Sequence, residues 1–362
     1  MRIGIAHRNV VSYDAVGNDI LGMYDVLAEC GFSVRLIGEY FDTATTRRAR
    51  TALLDDARFQ PVPDLLIYHH SILWENGETF LRRVAGPKLL RYHNVTPPEF
   101  FADYSARYVA LCAEGRVQTG RLAALCTAGS LADSAYNAAE LQAVGAAAIS
   151  VVPPFTAAGR LVRPARPRPE PPFQILFIGR LAPNKGHFDL VTVLAAYVAT
   201  FGPAIRLTII GGFDDNLLAY KQAIDQQIDT LGLRATIELC DQIDDRALHR
   251  RFMTASAFLC MSEHEGFCVP VIEAQAAGVP VIAVGETAVA ETLGEGQLVI
   301  ERPRTRQDFL YVARLLQAVC TDDRLRRQVI AAGHRNVLNR FTPQVVTGRF
   351  MAALAPVLEG RP

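Results

Sequence analysis

The sequence of 362 residues lacks long apolar runs, paired cysteine motifs and a recognisable leader. No stretch approaches the roughly 20 consecutive apolar residues that a membrane-spanning helix needs. The first residues, MRIGIAHRNVVSYD, have no apolar core of the kind found in signal peptides, so the sequence predicts a cytoplasmic protein. The seven cysteines are scattered and form no CxxC pair, which argues against a disulfide framework and a structural zinc site.

An excess of one charge is also missing, because 37 Lys and Arg residues balance 37 Asp and Glu residues. This neutrality argues against a nucleic-acid partner. The hydrophobic share of 50% excludes a disordered chain, and the length suggests two domains. Only three of the cations are lysines, namely Lys88, Lys185 and Lys221. A lysine at a motif position therefore carries more information here than an arginine.

Short apolar runs alternate with helical patterns along both halves of the chain. The first half opens with a strand pattern at residues 2–6 and includes another at residues 126–128, and the second half opens with residues 174–178. Apolar strands that alternate with helices predict parallel sheets covered on both faces. Residues 160–172, RLVRPARPRPEPP, contain five prolines and no apolar period, which predicts a stiff linker, with a basic partner-binding tail as the alternative.

The predicted fold class is therefore α/β, with two Rossmann-like, doubly wound parallel-sheet domains. We expect the first domain at residues 1–159, the linker at 160–172, the second domain at 173–340 and a C-terminal helix at 341–362 that packs back on the first domain. Ligands bind open sheets of this kind at the carboxyl ends of the strands, so we expect an interdomain cleft there.

The segment from Glu265 to Glu273, EGFCVPVIE, follows a predicted strand and opens a predicted helix. Free amides at a helix N-terminus favour an anion, and Gly266 allows a close approach of the backbone to a ligand. Carboxylates beside a phosphate are costly, but they suit sugar hydroxyls because they accept hydrogen bonds. The alternative interpretation is a helix N-terminus that carries favourable acids and no ligand.

A second segment, Gly179-Arg180-Leu-Ala-Pro-Asn-Lys185-Gly186, connects a predicted strand to a helix. Two cations in such a loop neutralise a diphosphate without a metal ion. The alternative is a solvated basic loop. The next strand ends in Gly211 and Gly212, which indicate either a tight turn or a backbone close to a nucleotide, and no GxGxxG motif is present.

The first half offers Gly17, where the first loop opens a helix, as a candidate anion site. His93 ends a predicted strand, which places it at the ligand-binding edge of an open sheet. A structural histidine is the alternative. His69-His70 and Asp133-Ser134 end comparable strands.

With these motifs the chain resembles glycosyltransferase family 4, the retaining nucleotide-sugar transferases with the GT-B fold. Glu265 and Glu273 match the family's E-x7-E element, and Gly179, Arg180, Lys185 and Gly186 match its Gly-Arg-x4-Lys-Gly element. The resemblance implies a site whose catalytic residues are His93, Arg180, Lys185 and Glu265. It implies donor contacts from Gly17, Gly179, Arg180, Lys185, Gly211, Gly266, Phe267, Cys268 and Glu273.

Within this resemblance, Arg180 and Lys185 hold the donor diphosphate, Glu273 the ribose hydroxyls and Glu265 the donor sugar. His93 reaches the same sugar from the first domain. Two departures stand out, since Val16 replaces the first glycine of the first loop and Cys268 replaces the glycine of EGFG. If the backbone at position 268 is strained, cysteine fits it less well than glycine.

The resemblance implies a hexosyltransferase that needs no metal or other cofactor and acts on a glycan or lipid-linked acceptor in polysaccharide biosynthesis. Mannose from GDP-mannose is the expected donor, with a UDP-sugar as the alternative. A GT-B nucleotide-sugar epimerase and a sugar-binding module are the other open interpretations. We expect a basic face suited to peripheral contact with anionic lipid at the inner side of the cytoplasmic membrane, with an ordinary solvated face as the alternative. Its candidate residues are Arg47, Arg48, Arg50, Arg82, Arg83 and Lys88.

Overall fold

A computed structural model describes residues 1–55, 63–156, 158, 162–163 and 168–359. The chain divides into two units. Unit 1 comprises Met1–Pro97, Ala110–Thr156 and Pro343–Pro362, and unit 2 comprises Pro98–Val109 and Ala157–Thr342. Of the predicted linker, residues 160–161 and 164–167 lie outside the described residues.

Unit 1 is organised around a sheet of parallel strands. The elements up to residue 151 are β1 (Arg2–Ala6), β2 (Asn9–Val10), α1 (Ala15–Glu29), β3 (Ser33–Gly38), β4 (Tyr40–Phe41), α2 (Thr43–Arg48), β5 (Thr51–Leu53), β6 (Leu65–His70), α3 (Glu75–Arg83), β7 (Lys88–Tyr92), α4 (Ala106–Leu125), β8 (Ser130–Ala132), α5 (Ala135–Ala143) and β9 (Ile149–Val151). The first residues of α4 belong to unit 2. The strand order is β5-β3-β1-β6-β7-β8-β9, and β2 pairs separately with β4. All residues of β6 are buried, as expected for a central parallel strand covered on both faces.

Unit 2 repeats this plan with a second parallel sheet. Its elements are β10 (Phe173–Ile178), α6 (His187–Phe201), β11 (Ile205–Ile210), α7 (Leu218–Thr230), β12 (Ile237–Cys240), α8 (Asp245–Thr254), β13 (Ala257–Cys260), α9 (Val269–Ala276), β14 (Val281–Val284), α10 (Val289–Leu293), β15 (Leu298–Ile300), α11 (Arg306–Thr321) and α12 (Asp323–Arg340). The order β12-β11-β10-β13-β14-β15 is that of a doubly wound nucleotide-binding sheet.

The last helix, α13 (Pro343–Glu359), returns to the core of unit 1. Val346, Phe350 and Leu354 are spaced at four residues along it and are buried, so one face of the helix joins the core beside β1 and α1. The ring of Phe350 packs edge-on against Phe155 with centroids 5.6 Å apart.

The structure differs from the sequence interpretation in two places. Residues 98–109 group with unit 2 instead of the first domain, because the Tyr108 hydroxyl donates to Asp214 at 2.9 Å and the Tyr104 ring packs against Tyr220. The predicted strand at residues 126–128 is wrong, since α4 ends at Leu125 and residues 126–128 form the turn that leads to β8. Among the described residues, no helix has the length and apolar character needed to cross a bilayer.

Candidate functional site

The loop between β10 and α6 carries both predicted phosphate-binding cations. Gly179 follows β10, and its N–H donates to Ile210 O at 2.9 Å. A single 3₁₀ turn, Pro183–Lys185, then leads to Gly186 at φ +67°. A Cβ at Gly186 would lie 2.0 Å from Met261 O, so only glycine fits here. This tight turn fixes where Lys185 leaves the backbone.

Asn184 joins this loop to the loop between β13 and α9. Its side-chain Nδ2 donates to His264 O at 2.9 Å, and its carbonyl accepts from Glu263 N at 2.9 Å. Asn184 is 3% exposed, so these bonds form away from water. The two sequence motifs therefore lie side by side at the carboxyl ends of the adjacent strands β10 and β13.

Lys185 and Glu265, one from each motif, form a direct ion pair. Lys185 Nζ donates to Glu265 Oε1 at 2.7 Å, and the two side chains are 15% and 11% exposed. Glu265 is held in turn by its own N–H, which donates to Thr287 Oγ1 at 2.9 Å. The sequence interpretation gave the two residues separate ligand contacts and did not anticipate their pairing.

The side chains of Arg180 and Glu273 remain available to bind a ligand. In the part of the chain that the structure describes, neither side chain has a hydrogen-bond or ion-pair partner, and Arg180 is exposed. Burial, and next the charge of Asp245, raise the pKa of Glu273 to about 7. A carboxyl group that is largely removed from water without a partner is suited to accept a ligand's hydroxyl groups.

Cys268 occupies a left-handed backbone conformation. It lies at φ +77° and ψ 68°, directly before α9, and its Sγ is 3.9 Å from Cys260 Sγ. The family's usual glycine would adopt this conformation without the Cβ penalty, so the departure seen in the sequence does fall on a strained position. Gly266 and Phe267 precede it in the same loop, and Thr292 Oγ1 donates to Phe267 O at 2.6 Å.

Gly211 lies directly after β11, at the carboxyl-end edge of the sheet where the loops after β10 and β13 also begin. A Cβ at this position would lie 1.9 Å from Gly179 O, whereas nothing lies within 4 Å of one at Gly212. The Gly211 N–H donates to Cys240 O at 3.1 Å. The first glycine is therefore required for the close approach of two loop backbones, as in a tight turn.

His93 in unit 1 follows β7 and lies in a largely buried polar cluster. Its Nδ1–H donates to Asp133 Oδ2 at 2.9 Å. Its Nε2 is 2.8 Å from His69 Nδ1, a distance at which one nitrogen donates to the other, and 3.7 Å from Asp19 Oδ2. Both ring nitrogens of His93 therefore have partners inside unit 1.

Arg91 supplies the positive charge of this cluster and is fully buried. Its Nε donates to Asp19 Oδ2 at 2.9 Å, its Nη1 donates to Val152 O at 2.7 Å, and its Nη2 is 2.7 Å from Asp133 Oδ1. The sequence interpretation missed Arg91 and Asp19. An arginine inside the apolar run LLRYH was the available signal, because a buried guanidinium needs carboxylate partners.

Gly17 lies in the first turn of α1 but does not present a free amide. Its N–H donates to the Asp14 carboxylate at 2.5 Å, and a Cβ at Gly17 would lie 1.8 Å from Val11 O. The position predicted for a bound anion is thus taken by a capping aspartate of the chain itself.

Comparison with known proteins finds a family match in the second half of the chain. Residues 160–335 match the family Glycosyl transferases group 1. The chain is 24% identical over 213 residues to the lipopolysaccharide core biosynthesis glycosyltransferase LpsE of Rhizobium meliloti (strain 1021), covering 57% of this chain and 58% of that one. It is 28% identical over 180 residues to a GDP-mannose:cellobiosyl-diphosphopolyprenol alpha-mannosyltransferase of Xanthomonas campestris, covering 49% of this chain and 45% of that one. The chain thus spans about half the length of these curated relatives.

The fold is shared with solved structures over nearly the whole chain. The crystal structure of Anabaena Alr3699/HepE in complex with UDP and glucose aligns with a TM-score of 0.75 at 15% identity, covering 98% of this chain and 99% of that one. Sucrose-phosphate synthase from Thermosynechococcus elongatus aligns with a TM-score of 0.75 at 16% identity, covering 99% of this chain and 100% of that one. The chain therefore has the GT-B fold, and its residues 160–335 form a domain of the Glycosyl transferases group 1.

Proposed function

We propose that this chain is a retaining glycosyltransferase that moves a hexosyl group from a nucleotide sugar to a glycan or lipid-linked saccharide in polysaccharide biosynthesis. The observation that carries the proposal is the Lys185–Glu265 pair, which joins the two motif loops at the carboxyl ends of β10 and β13. A cation for phosphate and an acceptor for sugar hydroxyls thereby lie in adjacent positions, as a nucleotide sugar requires.

Arg180 and Lys185 would bind the donor diphosphate. Lys185 uses one of its three N–H donors on Glu265, so two remain for phosphate oxygens. The exposed Arg180 guanidinium adds a planar set of donors that matches a phosphate. Their two positive charges supply what a bound metal ion supplies in other phosphate sites, so the proposal requires no metal for transfer.

Glu265 and Glu273 would bind the hydroxyl groups of the donor. Glu265 Oε1 accepts the hydrogen bond from Lys185, so Oε2 would accept from a hydroxyl of the donor sugar. Glu273 has no partner among the described residues and would accept the ribose hydroxyls. The backbone of Gly179, Gly211 and the Gly266–Cys268 loop would line the nucleotide. The hydrogen bonds of Asn184 hold the loops after β10 and β13 together.

Transfer would proceed on one face of the sugar ring, through an oxocarbenium-like transition state. The bond from the anomeric carbon to the diphosphate oxygen breaks while the acceptor oxygen bonds to the same carbon, and the acceptor's proton passes to the leaving phosphate. Negative charge grows on the diphosphate as it leaves, so Arg180 and Lys185 would stabilise the transition state more than the bound donor.

The donor we favour is GDP-mannose, because a relative that aligns with 49% of this chain is named for that donor. UDP-glucose is the second candidate, because the HepE structure of the same fold holds UDP and glucose. The contact of His93 with the donor sugar, the cytoplasmic location and the peripheral membrane contact stay predictions from the sequence.

A thermal-shift panel of GDP, UDP, ADP and their sugars tests the proposal. At 100 times its Kd, the cognate nucleotide should stabilise the fold by about 2.7 kcal/mol, and the other bases should give much less. No stabilisation by any nucleotide would contradict a donor site. Incubation with the cognate donor alone separates the alternatives, since an epimerase yields an isomeric donor and a transferase yields at most slow hydrolysis.

A further inference from the structure

We propose that Thr287 is a positioning residue for sugar transfer, which holds the backbone of Glu265 and thereby sets where its carboxylate meets the donor sugar. Thr287 lies in the loop that joins β14 to α10, outside both sequence motifs. Its Oγ1 accepts from Glu265 N at 2.9 Å, and the next N–H, that of Ala288, donates to Glu265 O at 3.4 Å. The inference rests on the role proposed for Glu265 and adds a residue on which that role depends.

Thr287 makes this contact from a backbone conformation that disfavours threonine. Its φ is +51°, in the left-handed region where the backbone crowds the Cβ of a β-branched residue. Four residues other than glycine have positive φ in the described part of the chain, namely Asn94, Ala148, Cys268 and Thr287, and only Thr287 is β-branched. Such strain persists where the surrounding structure fixes it, and it concentrates at functional sites. A threonine at this position therefore points to a use for its hydroxyl group.

The loop that carries Thr287 is anchored where it leaves the sheet. Gly285 N, directly after β14, donates to Ile300 O at 2.9 Å, which ties the start of the loop to the neighbouring strand β15. This bond does not involve Glu265. Thr287 is therefore attached to the sheet independently of the residue that it holds.

Three neighbouring strands contribute to the position of one carboxylate. β10, β13 and β14 are adjacent in the sheet, and the loops at their carboxyl ends carry Lys185, Glu265 and Thr287. Lys185 pairs with the side chain of Glu265, and Thr287 holds its backbone. These two contacts restrict the directions in which Oε2 can point. Restriction of this kind matters for transfer because a misplacement of about 1 Å costs up to about 100-fold in rate.

Substitutions of Thr287 separate the effect of its hydroxyl from that of its shape. Thr287→Val keeps the β-branched shape and removes the hydroxyl, so the Glu265 N–H loses its partner. Turnover should fall about 10–100-fold, whereas the affinity for the nucleoside diphosphate, which we assign to Arg180 and Lys185, should be unchanged. Thr287→Ser keeps a hydroxyl and should retain most of the turnover. Wild-type turnover in Thr287→Val, or an equal loss in Thr287→Ser, would overturn the proposal.

Thr287→Gly distinguishes positioning from a purely structural role. Glycine removes the hydroxyl but adopts φ +51° without strain, so this variant should melt at a higher temperature than Thr287→Val. Its turnover should nevertheless be as low as that of the valine variant, because both lack the bond to Glu265. Turnover that recovers together with the melting temperature would contradict a role for the hydroxyl.

A double-mutant cycle shows whether Thr287 acts through Glu265. The carboxylate is already absent in Glu265→Gln, so adding Thr287→Val to it should lower turnover by about 2-fold or less. The same loss in both backgrounds would show that Thr287 acts elsewhere. Thr305→Val is the matched control, because the Thr305 hydroxyl also accepts a backbone N–H, from Asp308 at 3.3 Å at the start of α11, and this variant should keep wild-type turnover.

Amide hydrogen exchange tests the bond without a substrate. The Glu265 N–H should be protected in the wild type and should exchange faster in Thr287→Val. An unprotected Glu265 amide in the wild type would overturn the proposal. Absence of transfer by the wild type would refute the proposed function together with this inference, whereas an active wild type with an equally active Thr287→Val variant would refute the role of Thr287 alone.

Discussion

Lys185 Nζ donates to Glu265 Oε1 at 2.7 Å, although the two residues are 80 positions apart in the sequence. The pair connects the cationic loop after β10 to the acidic loop after β13. Both side chains are mostly shielded from solvent, so their attraction is stronger than that of a surface ion pair. We infer that Glu265 positions the lysine for phosphate and keeps one oxygen for the sugar.

Glu265→Gln should separate diphosphate binding from transfer. Lys185 keeps its charge in this variant, so the affinity for the nucleoside diphosphate should change less than about 10-fold, whereas turnover should fall about 10²–10³-fold. Calorimetric binding and initial rates measure the two effects. Glu263→Gln is the control, because Glu263 pairs with Arg302 outside the proposed contacts and should keep its turnover. Equal losses of diphosphate binding and turnover in Glu265→Gln would contradict the division of roles.

Glu273 should make both donor binding and stability depend on pH. Its pKa is about 7 in the folded chain and 4.5 for an unperturbed glutamate, so folding favours the protonated form. The stability that this group contributes is therefore present below pH 4.5 and is lost as the pH rises through 7. Glu273→Gln should stabilise the fold by at most about 3 kcal/mol at pH 8 and by little at pH 4.5.

Denaturant unfolding of wild type and Glu273→Gln at the two pH values measures this difference. The donor KM of the wild type should rise as the pH falls below 7, because the protonated carboxyl loses acceptor capacity for ribose hydroxyls. A stability difference between the two proteins that does not change with pH would show that Glu273 is not held at a raised pKa.

Gly211→Ala should damage the junction between the loops that follow β10 and β11. The new Cβ would lie 1.9 Å from the carbonyl oxygen of Gly179, and a backbone atom cannot move aside cheaply. We expect a loss of about 1–3 kcal/mol in the free energy of unfolding. Gly212→Ala is the adjacent control, since its Cβ would have no neighbour within 4 Å, and it should stay within about 0.5 kcal/mol of wild type. Similar losses in both variants would refute the close approach.

Cys268→Gly should be more stable than Cys268→Ala. Both variants remove the thiol and its contact with Cys260, but only glycine adopts φ +77° without a Cβ penalty. The difference in the free energy of unfolding should be about 1 kcal/mol in favour of glycine. Thermal or denaturant unfolding of the two variants measures it, and an alanine variant as stable as the glycine variant would show that the backbone relaxes.

The sequence was informative where local pattern decides the structure. Alternating apolar strands and helices predicted the two parallel sheets, and the strand ends at Ile178 and Ile210 predicted the loops that carry Gly179 and Gly211. These features depend on neighbours along the chain. The left-handed backbone at Cys268 agrees with the glycine that the resemblance implied at this position.

Pairings between distant residues could not be foreseen in the same way. The sequence placed His69, His93 and Asp133 at strand ends, but their mutual hydrogen bonds depend on β6, β7 and β8 being neighbours in that order. Asp19 comes from a helix and shows no pattern that marks it as a partner of Arg91. Such contacts depend on which strands are neighbours and on where their side chains meet at the sheet edge. Neither can be read from the order of residues along the chain.

The rate of hexosyl transfer in Lys185→Ala, compared with Lys221→Ala, tests the central claim most directly. Lys221 is 40% exposed and pairs with Asp225 on the surface of α7, so it offers the same substitution away from the loops after β10 and β13. With both variants folded by circular dichroism, transfer should fall about 10²–10³-fold in Lys185→Ala and remain at the wild-type rate in Lys221→Ala. Wild-type turnover in Lys185→Ala would contradict a donor diphosphate bound at this loop.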